Sequence, residues 1–504
     1  MLLSELVAAS GAVAAASGRL EKIAHLAAFL GRLPPDLIPI AVPFLSGAMR
    51  QGRIGVGGAL LSELRDVPAS DAPSLALADV DAAFDRIAAA SGRARAEQVR
   101  VLMARATRDE QDFLARLLFG ELRQGALEGV LVEAVARAGG VDAARVRRAA
   151  MLAGDLAPVA HALLAERDRS LSRFVLRPFQ PVQPMLADSA ADVAEALGAI
   201  AGLTMFEHKL DGARIQVHKV EDEVRVYSRN LRDVTSAVPE IVTVTRAMPS
   251  RELVLDGEAI AMRPDGRPRP FQETMRRFGR RLDVAALQFE LPIMPFFFDA
   301  LYVDGEPLID ESLARRVAVL DAHVTAPNRV PRVATADADE AARFAAHAVA
   351  AGHEGVMAKA VDCVYAAGRR GQAWLKVKQA RTLDLVVLAA EWGSGRRRGT
   401  LSNIHLGARD PEHGGYVMLG KTFKGMTDAM LAWQTRTFLA LEIGRDNRTV
   451  FVRPEIVAEI AFNEVQDSPQ YPGGVALRFA RVKRYRSDKS AAEADTIATV
   501  LAMK

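Results

Sequence analysis

The first third of the chain places hydrophobic residues at the spacing of α-helices. Residues 1 to about 175 are rich in Ala, Leu and Arg. Thr107 and Glu110 have the spacing of a capping box, and an apolar stripe follows at Phe113, Leu114, Leu117 and Leu118. The pattern predicts an all-α domain in which one helix begins after Thr107.

The pattern changes at a segment with prolines at every third position. Pro178, Pro181 and Pro184 disfavour a helix and indicate a linker. From about 185 to 380, short apolar runs with period 2 alternate with helical stretches such as 341–351. This predicts a mixed α/β domain.

Strand-like runs dominate the last part of the chain. They begin at 385–388 and are separated by glycine-rich turns at 393–399 and 414–415. A segment of about 120 residues of this kind predicts a small β-barrel. The chain is therefore expected to be multidomain, with a helical domain at 1–177, an α/β domain at 178–380 and a barrel at 381–504.

Composition is that of an ordinary globular protein. Half of the 504 residues are hydrophobic and a quarter are charged. No run approaches the ~20 apolar residues of a membrane span, and the N-terminus lacks the basic start of a signal peptide. Cys363 is the only cysteine, which excludes internal disulfides and cysteine-rich zinc sites and favours a reducing cytoplasm.

Overall charge does not indicate a nucleic-acid binder, because the chain has 65 basic and 62 acidic residues and a net charge of only +3. Basic residues are clustered locally instead, and such clusters are usually solvated faces. The clusters are Arg276, Arg277, Arg280 and Arg281; Arg396 to Arg398; and the run from Arg478 to Lys489.

A lysine within residues 206–214 is the first candidate for chemistry. Strand alternation places Glu207 and Lys209 on one face, just before a turn that Gly212 permits. An amine beside carboxylates and Arg214 can attack a phosphorus centre, provided that its surroundings lower its pKa from about 10.4. Taken alone, Lys-x-Asp-Gly is also the pattern of a common surface turn.

Acidic and aromatic residues follow at other strand ends. Asp256 and Glu258 share a face that suits a ribose hydroxyl or a divalent metal. Phe298, before Asp299, could stack on a base, although a lone aromatic residue is more often part of the core. Glu354 stands at a strand entrance, as a metal ligand or as an ordinary ion-pair partner.

Residues 374–378 carry two lysines on one face of a strand. Leu375 and Val377 are expected to face inward, whereas Lys376 and Lys378 share the opposite face. Two neighbouring cations repel each other, so an anion such as phosphate is the expected partner.

In order and spacing, these blocks resemble the nucleotidyltransferase motifs of ATP-dependent DNA ligases. Each block is weak alone, and their common order makes the resemblance specific. Ala480 stands where the family usually has proline and Lys483 where an apolar residue is common. The blocks are Lys209 to Arg214, Ser228-Arg-Asn230, Asp256-Gly-Glu258, Phe298-Asp299, Glu354-Gly355 with Lys359, Lys376 with Lys378, and Leu477 to Lys489.

The resemblance extends to the helical region. Three segments are similar to the helical DNA-binding domain of archaeal and eukaryotic-type ligases and of the actinobacterial B type: Leu45-Ser-Gly, Gly52-Arg-Ile-Gly and Leu122-Arg-Gln-Gly. Arg53 and Arg123, each beside a glycine, are the first candidates for contacts with DNA phosphates.

The resemblance implies a role for each matched residue. Lys209 would attack the α-phosphate of ATP and carry AMP, which then passes to the 5′-phosphate at a nick before the 3′-hydroxyl displaces it. Glu207 would recognise adenine and Phe298 would stack on it. Arg214 and Glu258 would meet the ribose.

The resemblance also implies which residues bind Mg²⁺ and the phosphates and how the protein binds DNA. Glu354, together with Glu258, would hold Mg²⁺. The run 478–489 would close over the pocket, the C-terminal barrel would be an oligonucleotide-binding (OB) fold, and a monomer would encircle nicked duplex DNA. The phosphates or the nucleotide pocket would be bound by Arg229, Arg370, Lys376 and Lys378.

Three alternatives stay open on the sequence. An RNA ligase or mRNA capping enzyme shares the Lys209 block, although the helical region and the arginine-rich last block favour a DNA ligase. An NAD-dependent ligase is disfavoured because the cysteines of its zinc module are absent. An inactive DNA-binding clamp would have lost a motif residue, and none is lost. The sequence does not distinguish replication, repair and recombination.

Overall fold

A computed structural model of the protein describes residues 1–120, 122, 128–279, 288, 290–367, 370–378 and 381–504, with Arg370 described by its backbone alone. The chain divides into two units, Met1–Val377 and Lys378–Lys504. Within these described ranges, no helix is long and apolar enough to cross a membrane.

Helices fill the first part of the first unit, as the sequence predicts. The capping box is confirmed, because the Thr107 hydroxyl accepts a hydrogen bond from the Glu110 N–H where α7 begins. The helices are α1 (Leu3–Ala15), α2 (Arg19–Leu30), α3 (Ile38–Ser46), α4 (Gly58–Glu63), α5 (Leu77–Ala89), α6 (Gly92–Ala104), α7 (Arg108–Phe119), α8 (Glu128–Gly139), α9 (Ala143–Ala153) and α10 (Leu156–Leu164).

The rest of the first unit is the predicted mixture of helices and strands. Its elements are β1 (Leu186–Ala190), α11 (Val193–Ile200), β2 (Thr204–His208), β3 (Ala213–Val220), β4 (Glu223–Ser228), α12 (Pro239–Arg246), β5 (Glu252–Ala261), α13 (Phe271–Gly279), β6 (Ile293–Val303), β7 (Glu306–Pro307), α14 (Leu313–His323), β8 (Arg332–Thr335), α15 (Ala338–Ala350), β9 (Gly355–Ala360) and β10 (Arg370–Lys378).

The strands of this region form two sheets. In the part of the chain that is described, sheet I has the order β1-β10-β9-β2-β8 and sheet II the order β4-β3-β5-β6-β7. The chain passes from sheet I to sheet II between β2 and β3, at residues 209–212. This crossing carries the Lys-x-Asp-Gly sequence.

The helical region packs against both sheets through the end of α9. Met151 and Leu152 share a hydrophobic cluster with Tyr365 and Trp374. A Cβ at Gly154 would lie 2.7 Å from a backbone carbonyl oxygen of the proline-rich linker, so the chain there tolerates no side chain. The helices and the sheets therefore share one core, which explains why they belong to one unit.

One arginine of the first basic cluster is not part of a solvated face, whereas Arg276 is exposed. Arg277 is buried and donates a hydrogen bond to Glu240 at 2.6 Å, because its position on α13 faces the core. Arg280 and Arg281 lie outside the described residues.

The second unit is rich in strands, as predicted. Within the described residues its main strand path runs β13-β12-β11-β15-β14, with β16 pairing β11 and β19. This path is open, so closure of a barrel stays a prediction. The elements are β11 (Arg381–Trp392), β12 (Leu401–Arg409), β13 (Tyr416–Thr422), α16 (Asp428–Ala440), β14 (Glu442–Arg445), β15 (Thr449–Val452), β16 (Val457–Phe462), β17 (Glu464–Asp467), β18 (Val475–Arg478), β19 (Arg481–Tyr485) and α17 (Ile497–Leu501).

A buried ion pair joins β6 to α14 in the first unit. Arg316 binds the two carboxylate oxygens of Asp299 at 2.7 and 3.1 Å, and neither side chain is exposed. Arg316 also donates to the backbone carbonyl oxygens of Glu311 and Cys363. Asp299 is thus a structural residue that fixes the strand carrying Phe298.

Replacing Arg316 by Met should lower the free energy of unfolding by about 3–5 kcal/mol, because Asp299 would stay buried without its cation. Urea unfolding measures this loss. Arg315 is the matched control, since its 3.6 Å contact with Glu306 is exposed, and Arg315→Met should change stability by about 0.5 kcal/mol or less. Equal losses in the two variants would contradict the role given to the pair.

Candidate active site

The crossing from sheet I to sheet II brings the predicted residues together. A Cβ at Gly212 would lie 2.4 Å from the carbonyl oxygen of Ala259, so only glycine lets this turn lie against β5. The Gly212 N–H then donates to Glu258 Oε1 at 3.2 Å. The end of β2 and the middle of β5 are therefore held side by side.

Lys209 is fixed at this crossing by its side chain and its backbone. Its Nζ lies 2.5 Å from Glu354 Oε2, and the two side chains are 18% and 15% exposed. The Lys209 N–H donates to the Gly355 carbonyl at 2.8 Å, and the Glu354 N–H donates to the Lys209 carbonyl at 3.1 Å. The amine is thus placed within narrow limits while remaining reachable from solvent.

The residue before Lys209 packs on the opposite side of β2. The His208 ring lies 5.0 Å from the rings of Phe344 and His353, against α15. Burial and the neighbouring histidines lower the pKa of His208 to about 4, so the ring is uncharged at neutral pH. This packing agrees with the alternation expected for Glu207 and Lys209.

Arg214 forms an ion pair with Asp256, for which the sequence predicted a different role. Its Nε and Nη2 donate to the two oxygens of Asp256 at 3.0 and 2.6 Å, and Nη1 donates to the Met185 carbonyl at 2.6 Å. Asp256 is 1% exposed. The expectation that Asp256 suits a ribose or a metal is therefore wrong, because its oxygens are taken by buried partners.

Tyr365 completes this network and was not predicted. Its hydroxyl donates to Asp256 Oδ2 at 2.7 Å and accepts from the Met185 N–H at 3.0 Å. The ring is buried, edge-on to Trp374. No sequence pattern separates this tyrosine from other core aromatic residues.

Glu258 is the carboxylate of β5 that remains available. It is half-buried, and burial raises the pKa of its carboxyl to about 7, while the charges of Lys209 and Arg214 oppose the rise. Near neutral pH the group is thus poised between its protonated and ionised forms.

A second ion pair lies deeper between the sheets. Glu207 Oε2 and Lys359 Nζ are 2.5 Å apart, and both side chains are 2% exposed. The Lys359 ammonium also lies 4.4 Å from the ring centre of Phe298 and 4.2 Å from that of Trp374. Lys359 was seen as part of a motif but not as a site residue, although a lysine inside a buried strand is an available signal.

Two further arginines are predicted to bind the phosphates or the nucleotide pocket. Arg229 is exposed in the turn that follows β4. Arg370 begins β10, and its side chain lies outside the described residues.

The strand β10 carries the two predicted lysines. Leu375 and Val377 are buried, as expected. Lys376, which lies opposite Ser189 of β1, is half-buried. Lys378 is the last residue of the strand.

One of the two arginines predicted to contact DNA phosphates lies within the described part of the helical region. Arg53 is exposed between Gly52 and Gly55, whose φ angles of 67° and 74° are left-handed. Glycine adopts this conformation without strain. Arg123 lies outside the described residues.

Glu258 and Glu354 are the carboxylates that could hold a divalent cation. Within the described ranges, no group of three or more protein ligands could hold a metal ion. Mg²⁺ typically uses one or two carboxylates and completes its shell with phosphate and water oxygens. Two carboxylates near Lys209 therefore fit Mg²⁺ that arrives with a phosphate ligand.

Comparison with known proteins identifies three family segments. Residues 64–136 match the family described as "DNA ligase N terminus", residues 184–378 "ATP dependent DNA ligase domain", and residues 397–489 "ATP dependent DNA ligase C terminal region". The solved structure named "Pmar-Lig_PreS3" shares the fold, with a TM-score of 0.64 and 20% identity over 95% of this chain and 99% of that one.

Curated relatives match along nearly their whole length. A protein of Anaeromyxobacter sp. (strain Fw109-5), described as "Probable DNA ligase", is 60% identical over 100% of this chain and 98% of its own. One of Sorangium cellulosum (strain So ce56), described likewise, is 58% identical over 100% and 95%. The predictions of a DNA ligase with ATP, Mg²⁺ and nicked DNA as its reactants and cofactor are confirmed. The chain belongs to the family of ATP-dependent DNA ligases.

Proposed function

We propose that Lys209 is the residue that carries AMP in this DNA ligase. The observation that carries the proposal is its place at the crossing of the two sheets, 2.5 Å from Glu354. In the reaction, a bond forms between Nζ and the α-phosphorus of ATP, the bond from that phosphorus to pyrophosphate breaks, and Nζ, which starts as an ammonium, loses two of its three protons. Glu354 orients the amine and is the nearest acceptor for a proton.

The remaining residues bind and orient the nucleotide. Glu207 meets the adenine and Phe298 stacks on it, while Arg214 and Glu258 meet the ribose. Glu354 and Glu258 would hold Mg²⁺, which would offset the negative charge of the phosphates. The phosphates or their pocket are bound by Arg229, Arg370, Lys376 and Lys378.

The domains divide this work. Residues 1–177 grip duplex DNA, 178–380 perform adenylation and 381–504 form the OB fold, which is supported by the three matched family segments. A cytoplasmic location is supported by the single cysteine of the chain.

Lys209→Arg should abolish the protein–AMP adduct, because arginine keeps the positive charge beside Glu354 but does not lose its proton at neutral pH. Incubation with α-labelled ATP and detection of the acid-labile adduct measures this. The exposed Lys424→Arg serves as the control and should label normally. A normal adduct on Lys209→Arg would show that another residue is the nucleophile.

Tyr365→Phe should raise the KM for ATP about tenfold, since one charge-assisted contact that fixes Arg214 through Asp256 is lost. Tyr302 is a matched control, because its hydroxyl donates at 2.7 Å to Glu252, which lies on β5 like Asp256. Tyr302→Phe should leave KM unchanged. Steady-state adenylation kinetics give both values, and an equal change in the two variants would mean that Tyr365 acts on stability alone.

Arg53→Ala should weaken binding to nicked duplex DNA and lower the slope of log affinity against log salt by about one, as expected for one lost phosphate contact. Fluorescence anisotropy at several salt concentrations provides the slope. Arg100, exposed and 3.6 Å from Glu97, is the control, and Arg100→Ala should keep the slope. An unchanged slope for Arg53→Ala would remove this residue from the DNA contacts.

A further inference from the structure

The carboxylate of Glu207 has one oxygen in use and one that is not. Oε2 lies 2.5 Å from Lys359 Nζ. Oε1 is buried and accepts no hydrogen bond from any residue that the structure describes. A buried carboxylate oxygen without a partner is costly, so Oε1 points to a donor that a ligand brings.

Lys359 decides which oxygen is left over. Its ammonium is enclosed by the carboxylate and by the rings of Phe298 and Trp374, and its side chain is 2% exposed. The faces of the two rings stabilise a cation. The enclosure also leaves the ammonium little freedom to move from Oε2 to Oε1. Burial raises the pKa of Glu207 and the charge of Lys359 opposes this rise, so the ammonium also favours the ionised form of the carboxylate.

We propose that Lys359 is a specificity-determining residue, which selects a base with an exocyclic amino group by keeping Glu207 Oε1 as a pure hydrogen-bond acceptor. This inference rests on the proposed function, in which Glu207 meets the adenine. An ionised carboxylate accepts hydrogen bonds and donates none. Adenine offers an amino group at its 6-position, whereas guanine and hypoxanthine carry an oxygen there, which would face a second acceptor.

The hydrogen-bond chemistry predicts one variant that reverses the preference for the 6-amino group and another that loses this preference. In Glu207→Gln, Lys359 would bind the amide oxygen and leave the amide NH₂ for the base, so an oxygen at the 6-position becomes the better partner. In Glu207→Gln with Lys359→Met, the amide is free to turn and either base is accepted. This double variant removes both charges of the buried pair, and replacing a buried pair in this way is often tolerated.

The experiment compares ATP with inosine triphosphate, whose base has an oxygen in place of the 6-amino group and a hydrogen on N1. The second-order rate of adduct formation is measured with each nucleotide. Relative to the wild type, Lys359→Met should lower the ATP/ITP rate ratio roughly ten- to a hundredfold, the effect of one hydrogen bond to a charged group. Glu207→Gln should favour ITP, and the double variant should show little preference.

Lys219 provides the matched control. It is another buried lysine of the first unit, 4% exposed, and donates to the backbone carbonyls of Arg246 and Met248. Lys219→Met should lower stability while leaving the ATP/ITP ratio unchanged, so loss of a buried ammonium is separated from loss of base selection.

Each outcome bears on one of the two proposals. If the wild type forms the adduct and Lys359→Met and the double variant keep the wild-type ratio, the inference is overturned and the role of Lys209 stands. If Lys359→Met does not fold, the reversal in Glu207→Gln and its absence in the double variant decide. If the wild type forms no adduct through Lys209, the proposed function itself fails.

Discussion

Charged side chains between sheets I and II must be paired, because a charge that is taken out of water without a partner costs several kcal/mol. Lys209 pairs with Glu354, and Arg214 pairs with Asp256. Each pair links elements that are distant in sequence. The arrangement of the site is therefore set by the requirement that these charges meet.

The crossing itself adds a steric constraint. Gly212 lies so close to β5 that a Cβ would overlap the Ala259 carbonyl. This contact keeps Lys209 beside Glu258, whose carboxyl pKa is raised to about 7 by burial. One short turn thus determines both the position of the amine and the electrostatic surroundings into which a nucleotide would bring its phosphates.

Aromatic packing connects the site to the helical region. Trp374 contacts Lys359 with its ring and shares a hydrophobic cluster with Tyr365 and Met151. The ion pair of Glu207 and Lys359 and the end of α9 therefore pack against the same side chains. Because interiors are close-packed, a displacement of α9 would be felt by the residues that surround the ion pair of Glu207.

Local patterns explain which predictions were confirmed. The capping box at Thr107 depends on residues three apart, and the burial of Leu375 and Val377 depends on strand alternation, so both are readable from neighbouring residues. The motifs that identify the family are likewise short segments. By contrast, Asp256 and Arg277 were assigned from their local setting, and partners from distant elements changed their roles.

The sequence by itself determined the helical, mixed and strand-rich regions, the family, and the candidate nucleophile Lys209. Only the tertiary structure decided that Asp256 serves Arg214, that Tyr365 supports both, and that one oxygen of Glu207 has no partner among the described residues. Periodicity and motifs record contacts between residues that are near in the chain. The pairing of buried charges depends on which strands become neighbours, and that information appears only when the two sheets have formed.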